Sequence, residues 1–361
     1  MTPTMRMICV LLLSTALAAQ TTPPLPVEAP EKPLISVRTE QVVAPVTVQD
    51  KDGSIVNGLE PGRFHLYDNN KAQDIRVDVA FQPISMVIAI QASDRVDAVL
   101  GQIRKVGSLI EPLVIGEQGE ASVIAFDSRI RELQTFTNDA TKIKEAIAKI
   151  HAGSSSSRMI DAVDRGVFLL RSRDPQRRRV VLLISERQDV ASEGRLREAL
   201  IAAQLANVTI YCVDISRVVT NLTAKAQPPR PEALPPAAYG NIGGYPETPT
   251  SRANITGLGS RIEFVPLMVQ VFKGAKGAFI DNPPDAFAKA TGGTQFSFLK
   301  QRGLEDAIQA ISQEIHSQYM VSYAPNNREE GGWHEIRVQV DEPGLRVRTR
   351  PGYWLASSQP K

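Results

Sequence analysis

The chain has 361 residues, of which 42% are apolar, and its 41 basic and 39 acidic side chains leave a formal net charge of +2. This apolar content is that of an ordinary globular protein, and a charge so close to balance gives no indication of a nucleic-acid partner. The length exceeds what one hydrophobic core usually organises, which predicts two domains.

The first 19 residues have the pattern of an export signal. Arg6 supplies a positive charge, an apolar stretch covers residues 7–17, and small residues follow at Ala18 and Ala19. We expect no membrane anchor after cleavage, because this stretch is too short to span a bilayer and no later segment has about 20 consecutive apolar residues. The protein is therefore predicted to be secreted or periplasmic, with Cys212 as its one remaining cysteine and a buried core residue.

Two regions near the chain ends have the composition of short β-strands. A linker rich in proline, residues 20–33, precedes residues 34–82, where β-forming runs alternate with polar turns. Residues 318–355 have the same pattern and are followed by a tail, residues 356–361. Because a segment of about 40 residues is marginal as an independent core, we predict that both ends form one small antiparallel β-sandwich.

Between these regions, residues 83–317 alternate between apolar strands and amphipathic helices. Residues 86–90 are continuously apolar, as in a strand that is buried on both faces of a parallel sheet, and residues 96–113 have apolar side chains at helical spacing. Thr141 is predicted to cap a later helix, and Gly292 suits a left-handed C-cap. The alternation predicts a doubly wound, mostly parallel α/β domain inserted in the sandwich. Its other predicted elements are strands at 121–126, 131–136, 180–184, 208–213 and 295–299, and helices at 141–150, 158–170, 193–206 and 304–316.

A proline-rich insertion, residues 216–284, interrupts this alternation. Residues 227–249 are predicted to be irregular because proline withholds backbone donors. The apolar residues 262–272 are predicted to pack on their own domain, with a partner-binding arm as the alternative. The insertion follows a strand at the edge where open α/β sheets place ligands, so we expect it to border or cover a ligand site.

Seven short segments carry a resemblance to known proteins, namely residues 45–53, 90–97, 154–162, 182–189, 290–293, 318–325 and 350–353. In this order along the chain, they resemble the bacterial secreted von Willebrand factor A-related family first described from acidobacterial proteins. The resemblance covers nearly all of the predicted mature chain except the insertion. It implies a von Willebrand factor A-like fold, an extracytoplasmic location and a binding role toward an unknown protein or cell-envelope ligand.

Adhesion sites of that fold hold a divalent cation through an Asp-x-Ser-x-Ser loop, a Thr from a second loop and an Asp from a third. In this chain Gln91 stands in place of the leading carboxylate and Arg95 in place of the second Ser. Ser157, or its neighbour Ser156, replaces the Thr, and Glu186 replaces the Asp. The resemblance therefore implies a degenerate adhesion site, whose residues are Gln91, Ser93, Arg95, Ser157 and Glu186.

Two hypotheses follow for this site. In the first, Ser93, Ser157 and Glu186 still bind Mg²⁺ or Ca²⁺, and Asp94 or Asp189 supplies the missing negative charge. In the second, Arg95 pairs with Glu186 in the position of the ion, which gives a metal-free polar cluster and requires no cofactor. We favour the second, because an octahedral oxygen site needs negative charge that the first loop lacks.

The sequence contains no recognisable catalytic pattern. There is no Gly-x-Ser-x-Gly elbow and no Gly-rich phosphate loop. The basic run at residues 177–179 is predicted to be a solvated loop tip. The four histidines lack zinc spacing and are predicted to lie at the surface or at the edge of the core; they are His65, His151, His316 and His334. We predict a secreted, non-enzymatic adhesion or scaffold module, with a cation-dependent binding protein as the alternative and a secreted enzyme as the least favoured.

Overall fold

The computed structural model describes residues 41–78, 82–110, 116, 118–215, 282–298 and 301–355. The predicted export signal, the linker, the C-terminal tail and nearly all of the insertion lie outside these residues. The predictions for residues 227–249 and 262–272, and for the position of the insertion over a ligand site, therefore stay predictions. No helix in the described ranges is long and apolar enough to cross a membrane.

The described residues form fourteen strands and six α-helices. The strands are β1 (Val42–Gln49), β2 (Phe64–Asp68), β3 (Lys71–Ala72), β4 (Ile75–Asp78), β5 (Ile84–Gln91), β6 (Glu120–Phe126), β7 (Ile130–Thr137), β8 (Arg178–Ser185), β9 (Val208–Ile215), β10 (Gln295–Phe298), β11 (Tyr319–Tyr323), β12 (Gly332–Val340), β13 (Arg346–Arg348) and β14 (Gly352–Leu355). The helices are α1 (Asp97–Ile110), α2 (Ala140–Ala148), α3 (Met159–Arg171), α4 (Leu196–Leu205), α5 (Pro283–Thr291) and α6 (Gln301–Ser317).

A six-stranded sheet, ordered β10-β9-β8-β5-β6-β7, forms the α/β part of the molecule. Neighbouring strands run parallel except β7, which pairs antiparallel with β6 at the edge. The order reverses between β5 and β8, which makes the sheet doubly wound. This is the von Willebrand factor A-like arrangement, and the predicted fold class is confirmed.

Alternation along β5 explains why helices cover both faces of this sheet. All eight residues of β5 are buried. Met86 and Ile88 belong to a core that α1, α2 and α6 cover, whereas Val87 and Ala89 belong to a second core under α3, α4 and α5. A strand that is apolar on both faces can only be satisfied between two helical layers, as its continuous apolar sequence predicts.

Both chain ends contribute to two antiparallel sheets that pack as a sandwich. One sheet has the order β13-β1-β11-β4 and the other the order β14-β12-β2-β3. Val46 pairs with Tyr319 in the first sheet, and Leu66 with Val338 in the second. These four residues share one hydrophobic core. Neither end could bury its apolar face alone, and the predicted sandwich is confirmed.

A buried polar cluster lies in the core of the sandwich. Asp68 and His334 are both fully buried, and His334 Nδ1 lies 2.7 Å from Asp68 Oδ1. The hydroxyls of Tyr323 and Tyr353 donate to Asp68 Oδ2 at 2.9 and 2.8 Å, and the Asn327 amide donates to Asp68 Oδ1 at 3.1 Å. The prediction that the histidines lie at the surface or core edge is therefore wrong for His334, whereas His65, His151 and His316 are exposed.

The basic run at residues 177–179 is not the solvated loop tip that the sequence predicts. Arg178 is buried and donates to the backbone carbonyl of Ile315 and to Gln318 Oε1. Arg177 donates to the backbone carbonyls of Ile84 and Gln118, at 3.0 and 2.8 Å. Burial lowers the pKa of Arg178. These arginines satisfy carbonyl groups where segments meet, so they do not present a basic surface.

Two predicted helix caps and one predicted core residue have clear outcomes. Asp139, not Thr141, caps α2, because its carboxylate accepts from the backbone N–H of Thr141 at 2.9 Å. Gly292 ends α5 with a φ of 82°, as predicted. Cys212 is a free, buried cysteine of β9, also as predicted, and burial raises the pKa of its thiol well above the ordinary value.

Candidate functional site

The loops that follow β5 and β8 meet at one edge of the central sheet. Ile90 pairs with Ile184 in parallel register, so the residues after each strand emerge side by side. Gln91 ends β5 and Glu186 directly follows β8, and both side chains are buried. The carboxyl edge of an open α/β sheet is where such folds place ligands.

Gln91 connects the two loops through both ends of its amide. Its Nε2 donates to Ser93 Oγ at 2.8 Å and lies 3.4 Å from Glu186 Oε2. Its Oε1 accepts the backbone N–H of Glu186 at 2.8 Å. The amide therefore satisfies polar groups on both loops, which a carboxylate at this position could not do, since it has no donor.

Arg95 covers the carboxylate of Glu186. The Arg95 Nε donates to Glu186 Oε2 at 3.0 Å, and the arginine side chain is 37% exposed whereas that of Glu186 is 2% exposed. This is the contact that the metal-free hypothesis requires. The guanidinium thus compensates the buried charge from the solvent side. That these residues bind a ligand stays a prediction.

A second arginine–carboxylate pair, which the sequence analysis missed, lies beside the first. Arg187 Nε donates to Asp214 Oδ2 at 2.6 Å, and Ser297 Oγ donates to the same oxygen at 3.2 Å. Asp214 is 1% exposed, and the Arg187 side chain is 49% exposed. Asp214 pairs in register with Ser185, one residue before Glu186. An acidic residue at the end of an otherwise apolar parallel strand was the available signal.

Ser157 and Asp189 belong to a separate set of contacts. Ser157 is buried, its hydroxyl has no hydrogen-bond partner among the described residues, and its backbone carbonyl accepts from the backbone N–H of Val190. Asp189 Oδ1 accepts from the backbone N–H of Met159 at 2.9 Å and from Ser192 Oγ at 2.8 Å. Burial raises the pKa of Asp189, although these hydrogen bonds oppose the shift. Asp189 therefore accepts hydrogen bonds at the start of α3. The structure gives Ser157 no hydrogen bond to Ser93 or Glu186.

Asp127, another residue missed from the sequence, holds the second loop against the first. Its Oδ2 accepts from the backbone N–H of Ser154 at 3.1 Å. The backbone N–H of Gly153 donates to Ala92 O at 2.7 Å, and that of Asp94 donates to Ser154 O at 3.1 Å. A Cβ at Gly153 would lie 1.8 Å from Asp127 Oδ2, so only glycine permits this approach. The loops around the site are therefore fixed by backbone contacts.

The oxygens predicted to hold a cation do not fit one. Ser93 Oγ accepts an amide N–H from Gln91, and Glu186 Oε2 accepts the guanidinium N–H of Arg95. Mg²⁺ and Ca²⁺ require several oxygen ligands with compensating negative charge. Within the described residues, no three His, Cys, Asp or Glu side chains are grouped so that they could hold a metal ion. A cation would have to displace Arg95 and reverse the hydrogen bonding of Gln91.

No protein-family model and no curated protein matches this chain. Among solved structures it is similar to the conserved hypothetical protein BatB from Bacteroides thetaiotaomicron, with 17% identity and a TM-score of 0.31, over 37% of this chain and 66% of that one. The vWF domain of the type V pili tip protein Mfa5 from Porphyromonas gingivalis has 14% identity and a TM-score of 0.27, over 30% of this chain and 38% of that one.

A von Willebrand factor type A protein from Catenulispora acidiphila has 10% identity and a TM-score of 0.42, over 89% of this chain and 76% of that one. The matches to BatB and to the Mfa5 domain each cover less than two thirds of the length of those proteins. Similarity this distant says nothing of activity or partner. The fold assignment rests on the strand order of the central sheet.

Proposed function

We propose that this protein is a secreted or periplasmic, non-enzymatic binding module that binds its ligand without a metal ion. The ligand site is the edge of the central sheet that carries Gln91, Ser93, Arg95 and Glu186. The observation that carries the proposal is the 3.0 Å contact between Arg95 and Glu186, in which a guanidinium takes the role that a cation has in adhesion sites of this fold. The pattern of an export signal in the first 19 residues supports the location.

The contacts at this edge support binding more than catalysis. Ser93 Oγ accepts from an amide, which cannot act as a general base toward it. Glu186 is tied to a guanidinium, which opposes a role in proton transfer. Cys212 is buried, and its raised thiol pKa disfavours the nucleophilic thiolate. A scaffold or adhesion role toward a protein or cell-envelope component requires none of these chemistries.

A cation-dependent binding protein remains the second candidate function because of one observation. The Ser157 hydroxyl is buried and has no partner among the described residues, as an unoccupied ligand oxygen would be. Against it stands the engagement of Ser93 and Glu186 by N–H donors. The two candidates predict opposite responses to divalent cations.

Thermal unfolding with and without divalent cations tests the proposal. A ligand that binds the folded state alone raises stability by RT ln(1 + [L]/Kd), about 2.7 kcal/mol at a hundredfold excess over Kd. We expect the Tm of the full chain to be the same in millimolar Mg²⁺ or Ca²⁺ as in EDTA. A rise at sub-millimolar cation that EDTA reverses would establish the cation-dependent candidate instead.

A matched variant shows that the assay can detect a site in this fold. Gln91→Asp combined with Arg95→Ser restores the Asp-x-Ser-x-Ser pattern around Ser93 while Glu186 is kept. We expect this variant to acquire a Tm that rises with Mg²⁺, because the site then has a carboxylate at position 91 as well as Glu186, and no guanidinium. A rise in Tm with Mg²⁺ that is as large in the wild type as in the variant would contradict the metal-free proposal.

A further inference from the structure

We propose that the outer face of the sandwich sheet β14-β12-β2-β3 is a second binding site, and that its ligand is a neutral polysaccharide chain. This site lies on the sandwich and not at the edge of the central sheet, so it goes beyond the proposed function and does not depend on it. We call it the outer aromatic face, and its residues are Trp333, Trp354, Tyr67, Glu335 and Arg337.

Alternation along β12 directs one set of its side chains away from the core. Ile336 and Val338 belong to the core of the sandwich. Glu335 and Arg337 are exposed, and Trp333 is half-buried. Because successive side chains of a strand point to opposite faces, the odd-numbered positions of β12 form the outer face of the sheet.

Both tryptophans of the chain lie side by side on this face. Trp333 pairs with Trp354 across β12 and β14, and their ring centroids are 6.2 Å apart with an interplanar angle of 67°. Such an edge-to-face arrangement is favourable for two aromatic rings. A Cβ at Gly352 would lie 2.4 Å from Cζ2 of Trp333, so only glycine lets this indole lie against the backbone of β14. The indoles are therefore held by the sheet and by each other.

Two arginines hold the other rings of the face. The guanidinium carbon of Arg337 lies 5.1 Å from the centre of the Tyr67 ring on the neighbouring strand. That of Arg197 lies 5.3 Å from the centre of the Trp354 ring. Arg197 belongs to α4, so this contact fixes Trp354 at the border between the sheet and the helical layer. Rings that are held before a ligand arrives lose little conformational entropy when they bind it.

The chemistry of the outer aromatic face matches a ligand that is both hydroxylated and neutral. A pyranose ring has an apolar C–H face, which stacks on an aromatic ring, and a rim of hydroxyls that both donate and accept hydrogen bonds. The exposed Glu335 offers acceptors, Arg337 offers donors, and Gln339 offers both. Because Glu335 and Arg337 carry opposite charges on one strand, the face does not favour a charged ligand of either sign.

A protein partner matches this face less well. The large hydrophobic side chains that are exposed among the described residues are Phe168, Val190 and Leu205, and none of them belongs to this sheet. The apolar surface of the face therefore consists of flat rings and not of the aliphatic side chains that fill pockets. Strand β12 is hydrogen-bonded to β14 on one side and to β2 on the other, so it cannot accept a peptide as an added strand.

The spacing of the rings indicates a chain of sugars and not a single sugar. Trp333 and Arg337 are four residues apart on β12, which corresponds to about 13 Å. Tyr67 lies beside Arg337 in the register of the sheet. An oligosaccharide along β12 would stack on the indoles at one end and on Tyr67 at the other, with Glu335 between them. We therefore expect affinity to rise with the number of sugar units.

Retention on insoluble neutral polysaccharides, followed by tryptophan fluorescence, tests the inference. The full chain is incubated with cellulose, chitin, mannan and starch, and we expect it to be retained on at least one. Because both tryptophans lie on the face, a hexasaccharide of the retained polymer should change their emission. Added salt should leave the affinity unchanged, since the ligand has no charge. Retention on none of the four polymers, binding without a change in emission, or an affinity that falls with salt would overturn the inference.

Ring variants locate the binding. Tyr67→Ala removes one stacking ring and should weaken the hexasaccharide about tenfold. Trp333→Phe keeps a ring over Gly352 but reduces its area, and should weaken the hexasaccharide severalfold. The matched control is Phe168→Ala, which removes an aromatic ring that is 60% exposed on α3 and should bind as the wild type does. Equal affinity of the two site variants and the control would overturn the inference.

A conservative variant separates recognition from misfolding. Tyr67→Phe keeps the ring, and we expect its affinity and its Tm to stay near those of the wild type. A loss as large as that of Tyr67→Ala would contradict stacking on this ring. Arg95→Gln with Glu186→Gln should leave the saccharide affinity unchanged, and a loss there would contradict a separate site on the sandwich. A cation requirement in the thermal assay would contradict the proposed function alone, so the two failures can be told apart.

Discussion

Two of the regions that bury a carboxylate compensate its charge in different ways. In the sandwich, Asp68 accepts from two phenols, an amide and an imidazole, and Asp68 and His334 are both inaccessible to solvent. At the edge of the central sheet, Glu186 is equally buried but its partner Arg95 is more than a third exposed. The exposure of the partner, and not that of the carboxylate, separates a cluster that serves the fold from one that can meet a ligand.

The sandwich cluster also connects to the helical layer. Arg350 is buried beside the ring of Tyr353 and lies 3.4 Å from the backbone carbonyl of Gln204, in α4. Burial lowers its pKa to about 10, although the nearby Tyr323, Tyr353 and Asp68 oppose the shift. A charged group in so enclosed a place is tolerated only with such partners. The cluster therefore joins both sheets of the sandwich and the α/β part.

The largest expected effect comes from breaking the sealed cluster. Asp68→Asn should lower the free energy of unfolding by about 3 kcal/mol, because the amide cannot accept all the donors that the carboxylate accepts. Urea unfolding measures the change. Asp74→Asn, at an exposed position of the same segment, is the control and should stay within about 0.5 kcal/mol. A small effect at Asp68 would show that the cluster does not stabilise the sandwich.

An intermediate effect is expected at the half-exposed pair. Arg95→Gln alone should destabilise the protein by about 2 kcal/mol, since Glu186 would stay buried without its cation. With Glu186→Gln added, most of that loss should be recovered, which gives a coupling free energy above about 1 kcal/mol in a double-mutant cycle. The exposed Arg63–Glu342 pair should show a coupling below about 0.5 kcal/mol. Equal coupling in both pairs would remove the distinction between them.

The smallest effect concerns alkaline pH. Burial, together with neighbouring Tyr353 and Asp68, raises the pKa of Tyr323, and burial with the hydrogen bond to Asp68 raises that of Tyr353. Because the folded pKa values exceed the unfolded value of about 10, this stabilisation is complete below about pH 10 and is lost as the pH rises further. Arg350 contributes to the pH dependence of stability with the opposite sign. Above about pH 10 its guanidinium loses its proton in the folded protein before it does so in the unfolded chain.

Tyr353→Phe tests this assignment. It should reduce the loss of stability above about pH 10 by at most about 1.4 kcal/mol per pH unit, the value for one proton. Urea unfolding on either side of that pH measures the slope for the wild type and the variant. Tyr67→Phe, at a half-buried position outside the cluster, is the control and should keep the wild-type slope. An unchanged slope in Tyr353→Phe would mean that this phenol ionises alike in both states.

Much of the fold could be predicted because it follows from periodicity. The continuous apolar run of β5 requires cover on both faces, and two short β regions that cannot form a core alone require each other. The same rule of alternation could have located His334, which shares a strand face with Ile336 and Val338, and Arg178, which shares one with Val180 and Leu182. Both were misplaced because their polar character was given more weight than their position in the strand.

The candidate site was less predictable, because it depends on contacts between distant segments. The pairing of Arg95 with Glu186 could be proposed from the altered loop, since both residues occupy positions of the resembling family's motif. The pairing of Arg187 with Asp214 could not, because neither belongs to that motif. Asp189 was a candidate cation ligand because it lies close to Glu186 in the sequence, yet its Oδ1 accepts a hydrogen bond from the backbone N–H of Met159. Sequence position does not give the direction of a side chain in a loop.

Each sheet of the sandwich contains strands from both ends of the chain, and this affects the order in which the strands can pair during folding. Thr47 Oγ1 accepts a hydrogen bond from Gln318, 271 positions later. During synthesis β1, β2 and β4 therefore precede their partners β11 and β12 by most of the chain, and these pairings must wait until β11 and β12 have been made. A polypeptide interrupted before residue 319 would retain the central strands but leave β1 without β11, and such unpaired edges favour aggregation.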